Sequence, residues 1–516
     1  MKPWRPPFVR QPKPFFQDRK QWGFIPGAIP RLTDSNPQPN TNDFMNIPAS
    51  SASSSNPDYK PAGSVSFIIL VTFVAAMGGL LFGYDTAVIS GAIGFMEKFF
   101  QLSPAQTGWA ASCVLVGCVV GAGFAGMLCD RLGRKATLLV AAALFLISSI
   151  GTAIPVSLSF FVVFRIIGGL GVGVASMASP MYIAEITPAR IRGRMVSLNQ
   201  FAIIGGMLVV YFVNYLIAKY GGGEAWNVHT GWRMMFLSGA VPSGLMLLFT
   251  LCVPETPRFL VSQGHREKAM EVLVKVDGSD YAKLELAEIT SAMSHEEGNI
   301  RELLKPGLKL ALFVGIGLSI LQQVTGINVI LYYAPEIFKA IGNTSSDTAL
   351  LQTIVVGAVN LIFTVVAIWK VDGFGRRPLM IIGYAGMGLF TFGQAYCFYT
   401  QTQGLGVLLC MLGYIAFFAL SAGPITWVLL AEIYPNKVRG RAMAIACAAQ
   451  WISNYVVSQT FPMMNKNEFL AAHFHKAFPY WIYGSFCAVA VLFVMKFVPE
   501  TKGKSLEEIE RIWTRE

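Results

Sequence analysis

The sequence predicts an all-α membrane protein of twelve transmembrane helices arranged as two six-helix bundles, and three observations carry that expectation. Of 516 residues 54% are hydrophobic and only 13% charged, a balance too apolar for a soluble chain of this length. Apolar runs of about 20 residues, enough to cross some 30 Å of hydrocarbon, recur from residue 66 to the end. Charged strings in the first half also return in the second at a nearly constant offset.

The first 63 residues differ from the rest. Twelve prolines fall between Pro3 and Pro61, with a serine-rich run at 50–55, and such a segment buries no core. No apolar stretch follows its basic residues, so it reads as a disordered cytoplasmic tail and not as a cleaved leader; a start at Met45 is the alternative. Six spans follow at 66–95, 107–128, 136–154, 158–182, 196–217 and 232–253, giving a first bundle over 64–253. Residues 254–306 form a charged cytoplasmic linker whose stretches 266–276 and 281–293 have the period of short amphipathic helices. The second bundle, 307–498, repeats the plan at 308–333, 348–370, 378–398, 404–430, 442–461 and 478–498. Residues 499–516 close the chain as a cytoplasmic helix capped by Ser505.

Basic residues set the orientation. Connections after spans two, four, eight and ten carry Arg131, Arg134 and Lys135, then Arg190, Arg192 and Arg194, then Lys370, Arg376 and Arg377, then Lys437, Arg439 and Arg441. The odd-numbered connections carry only Lys98, Lys219, Lys339, Lys466 and Lys476. Both termini and the linker are therefore expected in the cytoplasm, with the protein in the plasma membrane, or the inner membrane of a Gram-negative cell. The same clustering explains the net charge of +11 without nucleic acid.

The repeat is specific. Residues 130–135 (DRLGRK) are echoed by 372–377 (DGFGRR) at an offset of 242; 184–186 (AEI) with 192–194 (RGR) by 431–433 and 439–441 at 247; and 253–256 (VPET) by 498–501 at 245. Parallel repeats with a site at their midplane describe a carrier that rocks about that site. At the basic ends Asp130, Arg134, Glu185, Arg192 and Glu255 can meet across neighbouring helices, as can Asp372, Arg376, Glu432 and Arg439. Their duplication predicts a gate formed when the cytoplasmic side is closed, although exposed pairs of this kind are worth only about 0–1 kcal/mol each.

Inside the spans, Asp85 and Arg165 stand out, since an ionisable residue at mid-membrane costs about 2.5–3.5 kcal/mol. Counting about 1.5 Å per residue from the external ends of spans one and four puts both about 10–15 Å deep, where they can pair. They are read as a proton-coupling pair, the alternative being a static salt bridge. A polyol needs amide donors and acceptors around its hydroxyls and an aromatic surface for its ring face. Gln200, Gln322, Gln323, Asn328 and Gln450, with Asn454 and the aromatic Trp451 and Trp427, supply these from spans five, seven, ten and eleven. Gly326 with residues 332–335 (YYAP) predicts a break in span seven, and Gly423-Pro424 one in span ten. All eight cysteines read as packing residues. No catalytic constellation, cofactor motif or metal spacing is present, and His473 and His475 read as a solvated pair, so an enzyme is not expected.

The strings at 78–92 (GGLLFGYDTAVISGA), 165–177 (RIIGGLGVGVASM), 179–194 (SPMYIAEITPARIRGR), 322–338 (QQVTGINVILYYAPEIF), 371–379 (VDGFGRRPL) and 499–508 (PETKGKSLEE) resemble the sugar porter branch of the major facilitator superfamily. The resemblance covers residues 66–512 and is closest to the branch's proton-coupled D-xylose carriers. It implies the major facilitator fold, a monomer without cofactor, and symport of a monosaccharide with a proton. It further implies sugar contacts by Gln200, Gln322, Gln323, Asn328, Trp427 and Gln450, support from Phe82, Tyr332, Asn360, Phe418, Trp451 and Asn454, and coupling through Asp85 with Arg165. Facilitative glucose carriers look similar but have a neutral residue where Asp85 stands, which favours symport here; uniport is the alternative. Three departures go with it: Met207 replaces a second span-five glutamine of the xylose carriers, Gly239 replaces a span-six glutamate, and the connections after spans one and three are shorter.

Overall fold

In the computed structural model the described residues are 64–292, 303, 305–342, 345–402, 404–435, 438–502, 504, 508, 509 and 513. The N-terminal tail therefore lies outside them, as does most of the C-terminal helix. The first half consists of α1 (Val65–Phe100), α2 (Pro104–Leu132), α3 (Arg134–Gly151), α4 (Leu158–Ile186), α5 (Ala189–Tyr220) and a sixth span in pieces: α6 (Glu224–Trp226), a π turn (Asn227–Gly231), α7 (Trp232–Leu237) and α8 (Ala240–Cys252). The linker carries α9 (Pro257–Ser262) and α10 (Arg266–Ala292). The second half contains α11 (Pro306–Val324), α12 (Ile327–Gly342), α13 (Ser346–Phe374), α14 (Arg376–Tyr399), α15 (Leu405–Leu420), α16 (Ala422–Glu432), α17 (Arg439–Asn465), α18 (Glu468–Phe474) and α19 (Phe478–Phe497).

Ten helical segments are long and apolar enough to cross a membrane. The other two predicted spans, α14 and α17, have 24 and 27 residues and reach about 36–40 Å at 1.5 Å per residue. They miss the hydropathy threshold because polar side chains such as Gln394, Gln450 and Asn454 replace apolar ones, and these are buried from lipid. The chain is an all-helical, multi-pass membrane protein.

Helix ends follow local chemistry. Ser103 opens α2 with a capping box to Gln106, and Ser64, Ser157, Thr256 and Asn467 cap α1, α4, α9 and α18 through their side chains. Four expectations need correction. Helix α1 runs to Phe100, five residues beyond its predicted end. Span seven breaks at Thr325-Gly326, where Gly326 takes φ +92°, while Pro335 lies inside α12. Span ten breaks at Ser421, so Gly423 and Pro424 fall in the first turn of α16, where a missing N–H costs nothing. Span six is interrupted at Ser238-Gly239. The two linker stretches are present as expected: α10 is two helical pieces that meet at Asp277-Gly278, whose backbone is non-helical, with Gly278 at φ +88°.

Small residues let the backbones meet. In the α2–α4 pair a Cβ added at Gly117, Gly121, Gly169 or Gly173 would run into the carbonyl of Ile166, Leu170, Val114 or Cys118. Lipid gives helices no hydrophobic reason to associate, so close contact of this kind supplies the packing energy. In the α1–α5 pair Gly83 faces Ile203 and Gly206 faces Leu80 in the same way.

The buried apolar residues form two clusters. One holds the basic-loop ends of α1 to α4 with α8 and α10, and among the described residues takes Trp451, with the partly buried Tyr455 packed against it, from the second half. The other joins the opposite ends of α1, α2, α4 and α5 to the core of the second half. Contacts between halves follow this division, running mainly through α2–α17, α5–α13 and α1–α12. Ser112 Oγ donates to Gln459 Oε1 at 2.9 Å, Gln459 Nε2 to the Ala105 carbonyl at 2.9 Å, and Tyr211 OH to the Leu331 carbonyl at 2.9 Å, while Lys466 pairs with Glu97. All four lie away from the arginine-rich loops, so the halves are joined at that opposite end.

Gly169→Val should lower stability by about 1–3 kcal/mol through overpacking, read as a drop in the melting temperature of the detergent-solubilised protein. Gly205, which has open space around its Cβ position, gives the opposite sign: Gly205→Ala should gain about 0.5–1 kcal/mol. Equal melting temperatures for the two variants would contradict this account of the packing.

Candidate functional site

Two buried polar clusters face the middle of the chain's two halves. The first is built on the α11–α12 break. Thr325 ends α11, and its carbonyl accepts from Tyr414 OH at 3.0 Å, which fixes the interruption. Gln322 and Gln323 sit on the last turn of α11 at 2% and 6% exposure, and Asn328 on the first turn of α12. Gln322 Nε2 donates to the Ala422 carbonyl at 2.7 Å, in the first turn of α16 just past the break between α15 and α16. Gln322 Oε1 accepts from Gln450 Nε2 at 2.7 Å and from Gln323 Nε2 at 3.3 Å, and Gln323 Oε1 from Asn328 Nδ2 at 2.5 Å. The four amides thus form one chain across α11, α12 and α17, anchored on two broken helices. The buried Gln450 Oε1 has no partner, leaving an acceptor available to a donor from outside the protein.

The aromatic and supporting residues lie round this chain to different degrees. Trp451 packs on Phe82 of α1 with ring centroids 5.6 Å apart, linking the halves beside Gln450. Asn454 Oδ1 accepts from Ser458 Oγ at 3.0 Å, and Tyr332 is buried on α12. Phe418 lies over Gly423, Trp427 is half-buried on α16, and Asn360 is buried on α13. Gln200 is half-buried on α5 without a hydrogen bond to the amide chain, and Met207 is half-buried two turns further on, against the apolar core.

The second cluster is the ion pair. Arg165 on α4 is fully buried, and its Nη1 donates to Asp85 Oδ2 at 3.0 Å and to the Asp85 carbonyl at 3.1 Å. Its guanidinium lies 5.4 Å from the centroid of the Phe236 ring. Nε and Nη2 have no partner. The pairing that the helix count predicts is present. Phe82, three residues before Asp85 on α1, packs on Trp451 beside Gln450, and this contact brings the two clusters near one another.

At the arginine-rich end the repeat appears as geometry. Arg134 donates to Glu185 Oε1 through Nε at 3.1 Å, and Thr256 Oγ1 donates to Glu185 Oε2 at 2.7 Å. Correspondingly, Arg376 Nη2 donates to Glu432 Oε1 at 3.1 Å and Thr501 Oγ1 to Glu432 Oε2 at 2.6 Å. Glu255 receives the backbone N–H groups of Arg134 and Lys135, and Glu500 those of Arg376 and Arg377. Both turns need glycine, Gly133 at φ +93° and Gly375 at φ +88°, where a Cβ would also strike Glu255 or Glu500. Burial pushes the Glu255 carboxyl above the usual range, against the pull of the Thr256, Lys135 and Arg134 N–H groups. Burial pushes Glu500 the same way, but four backbone N–H groups prevail and hold it below.

Three expectations for this end are corrected. Arg192 pairs with Glu285 of the linker at 3.7 Å, and not with Glu185, because α10 packs beside it. Arg439 donates to the Tyr434 carbonyl at 3.2 Å, and not to Glu432. The pairs are also formed while the halves meet at the opposite end, because Arg134–Glu185 and Arg376–Glu432 each lie within one half and rocking does not part them. Asp130, largely exposed, reaches Arg134 at 3.7 Å. The Asp372 side chain lies outside the described residues. Sequence reasoning missed Glu285, Thr256 and Thr501; the threonines were legible from the repeated PET string, whereas Glu285 belongs to a linker with no counterpart in the second half.

Comparison with known proteins agrees with this architecture. Residues 71–513 match the family described as Sugar (and other) transporter. The D-xylose-proton symporter of Escherichia coli (strain K12) is 50% identical over 477 residues, covering 87% of this chain and 96% of that protein. The arabinose-proton symporter of Bacillus subtilis (strain 168) is 43% identical over 454 residues, covering 88% and 96%. The inward-open structure of the E. coli xylose transporter XylE superposes with a TM-score of 0.77 at 46% identity, covering 86% of this chain and all of that one. With a family match across nearly every described helix and relatives at this identity, the chain belongs to the sugar porter family of the major facilitator superfamily.

Proposed function

We propose that this protein is a proton-coupled sugar symporter that imports D-xylose, or a closely related aldose, by alternating access. The observation that carries the reading is the Asp85–Arg165 pair: a carboxylate and a fully buried guanidinium, held 3.0 Å apart inside the first half. Protonating Asp85 removes the negative partner of Arg165 and changes the field at the amide cluster, which ties the proton to the state of the sugar site. The identities to xylose- and arabinose-proton symporters support both the proton and a pentose.

In this reading the sugar lies against Gln322, Gln323, Asn328, Gln450 and Trp427, with Gln450 Oε1 accepting one of its hydroxyl protons. Gln200 joins from α5 when the halves close on the substrate. Phe82, Tyr332, Asn360, Phe418, Trp451 and Asn454 shape the pocket, and Met207 makes its α5 side apolar. The arginine-rich end faces the cytoplasm together with both termini, and the arrangement described is inward-facing, joined on the outside by Ser112, Gln459, Tyr211 and the Lys466–Glu97 pair. The intra-bundle pairs of Arg134 and Arg376 hold each half rigid as it rocks. The two bundles divide near residues 254–306, and the protein acts as a monomer.

Uptake of labelled D-xylose and D-glucose into proteoliposomes, with and without an inward proton gradient, tests the whole reading. Xylose should accumulate against its gradient only when protons flow inward; equilibration regardless of the gradient would make the protein a uniporter. Asp85→Asn should abolish uphill accumulation while sugar counterflow persists. Gln450→Ala should weaken xylose binding by about 1–2 kcal/mol, roughly 5- to 30-fold in Kd by calorimetry. Unchanged affinity would remove the amide chain from the site.

A further inference from the structure

Behind the ion pair, on the side of the first half away from the amide cluster, lies a small cavity of about one water's volume. Its wall includes Tyr84 and Asp85 of α1, Ser149 of α3, Phe236 of α7, and Gly239 and Ser243 at the interruption of span six. Asp85 divides its two oxygens between environments. Oδ2 takes the Arg165 guanidinium, whereas Oδ1 accepts no hydrogen bond from any described residue.

The surroundings of Oδ1 are hydroxyl-rich in an otherwise apolar bundle. A methyl placed on Gly168 would touch both Asp85 Oδ1 and the Oγ of Ser148, a buried hydroxyl with no partner. Tyr84 OH and Ser238 Oγ share a hydrogen bond of 2.6 Å at the span-six break. Ser243 Oγ donates to the Gly239 carbonyl at 2.7 Å, which leaves its lone pairs free to accept. Arg165 adds two buried donors without partners, Nε and Nη2. Asp85, whose Oδ1 accepts no hydrogen bond, shares the wall of a void of this size with the polar side chains of Tyr84, Ser149 and Ser243, and an internal water there would serve it, because a buried acceptor left bare costs about 1–3 kcal/mol.

We propose that this cavity holds water and is the route by which the proton reaches Asp85, entering through the wall made by α3 and the broken sixth span and not through the sugar pathway. The inference rests on the symport reading and assigns its proton a path. A cavity water hands a proton to Oδ1, giving the neutral acid, as it takes up one that arrives from the aqueous phase along the hydroxyls of Ser149, Ser243, Tyr84 and Ser238, so one proton enters and the water is regenerated. These hydroxyls both hold the water beside Asp85 and relay its proton. Gly239 is what leaves it room: a Cβ there would press on Ser149 Oγ at 2.8 Å. Its backbone, at φ −63°, accepts a side chain without strain.

The test is to fill the cavity. In proteoliposomes, Gly239→Val should slow gradient-driven xylose accumulation by about 100-fold or more, the lower end of what a positioned proton donor contributes, with proton uptake measured by a trapped pH dye falling in step. Xylose counterflow, which needs no net proton movement, should change less than about twofold, and Gly239→Ala should fall between. Should Gly239→Val fail to fold, Ser149→Ala combined with Ser243→Ala must show the same split between accumulation and counterflow. Wild-type rates of accumulation in a folded variant would overturn the route while leaving symport intact. A wild-type protein that never accumulates sugar would instead overturn the symport reading, and this inference with it.

Discussion

Hydrocarbon solvates no polar group, and the rest of the structure depends on that constraint. A backbone N–H, an amide or a charge placed in the bilayer must find its partner inside the protein or lose several kcal/mol. The helices, the carbonyl-to-glycine contacts of α2 with α4, and the burial of polar faces on α14 and α17 all obey it. Departures from it are then informative. Each break in a span frees backbone groups, and the breaks occur beside functional chemistry: Thr325-Gly326 and Ser421 at the amide chain, Ser238-Gly239 at the ion pair.

The arginine-rich ends show how a duplicated sequence becomes a duplicated device. In each half a glutamate at the end of a helix takes an arginine with one oxygen and a threonine with the other. A second glutamate caps the N-terminus of the helix that carries that arginine, α3 or α14, through backbone N–H groups. Every one of these bonds stays within a half or its adjoining loop. A network so arranged ties three helix ends into a rigid body and leaves the motion to the surfaces between halves. The opposite end is built differently, with single contacts that cross between halves through Gln459, Tyr211 and Lys466. Rigid bodies joined by a few breakable crossings are what rocking about a central site requires.

Much of this was legible in the sequence, and the limits have physical causes. Asp85 and Arg165 were recognisable because lone charges in apolar runs are costly, and helix counting placed them level with one another. The repeat strings announced the paired loops because offset is a one-dimensional property. Arg192 and Arg439 were misassigned because which carboxylate or carbonyl an arginine meets depends on packing around the linker, which sequence spacing does not encode. The span-ten break was placed two residues late: Gly423-Pro424 is a strong signal, yet proline sits comfortably in a helix's first turn and so marks a start as readily as a stop. The sixth-span interruption carried no signal beyond Ser238-Gly239, a pair that occurs in unbroken helices too.

The separation of the two polar clusters bears on how coupling works. The amides hang from α11, α12 and α17 of the second half, and the ion pair from α1 and α4 of the first, so in the proposed reading neither substrate touches the other's ligands. Coupling would then pass through the surface where the halves meet, where Phe82, three residues before Asp85, packs on Trp451, the neighbour of Gln450. On that reading neutralising Asp85 acts on the first-half side of this surface and sugar binding on the second-half side. Each event therefore changes the free energy of the same interface. Linkage requires the effect to be reciprocal, so a proton that favours sugar binding is itself held more tightly once the sugar is bound.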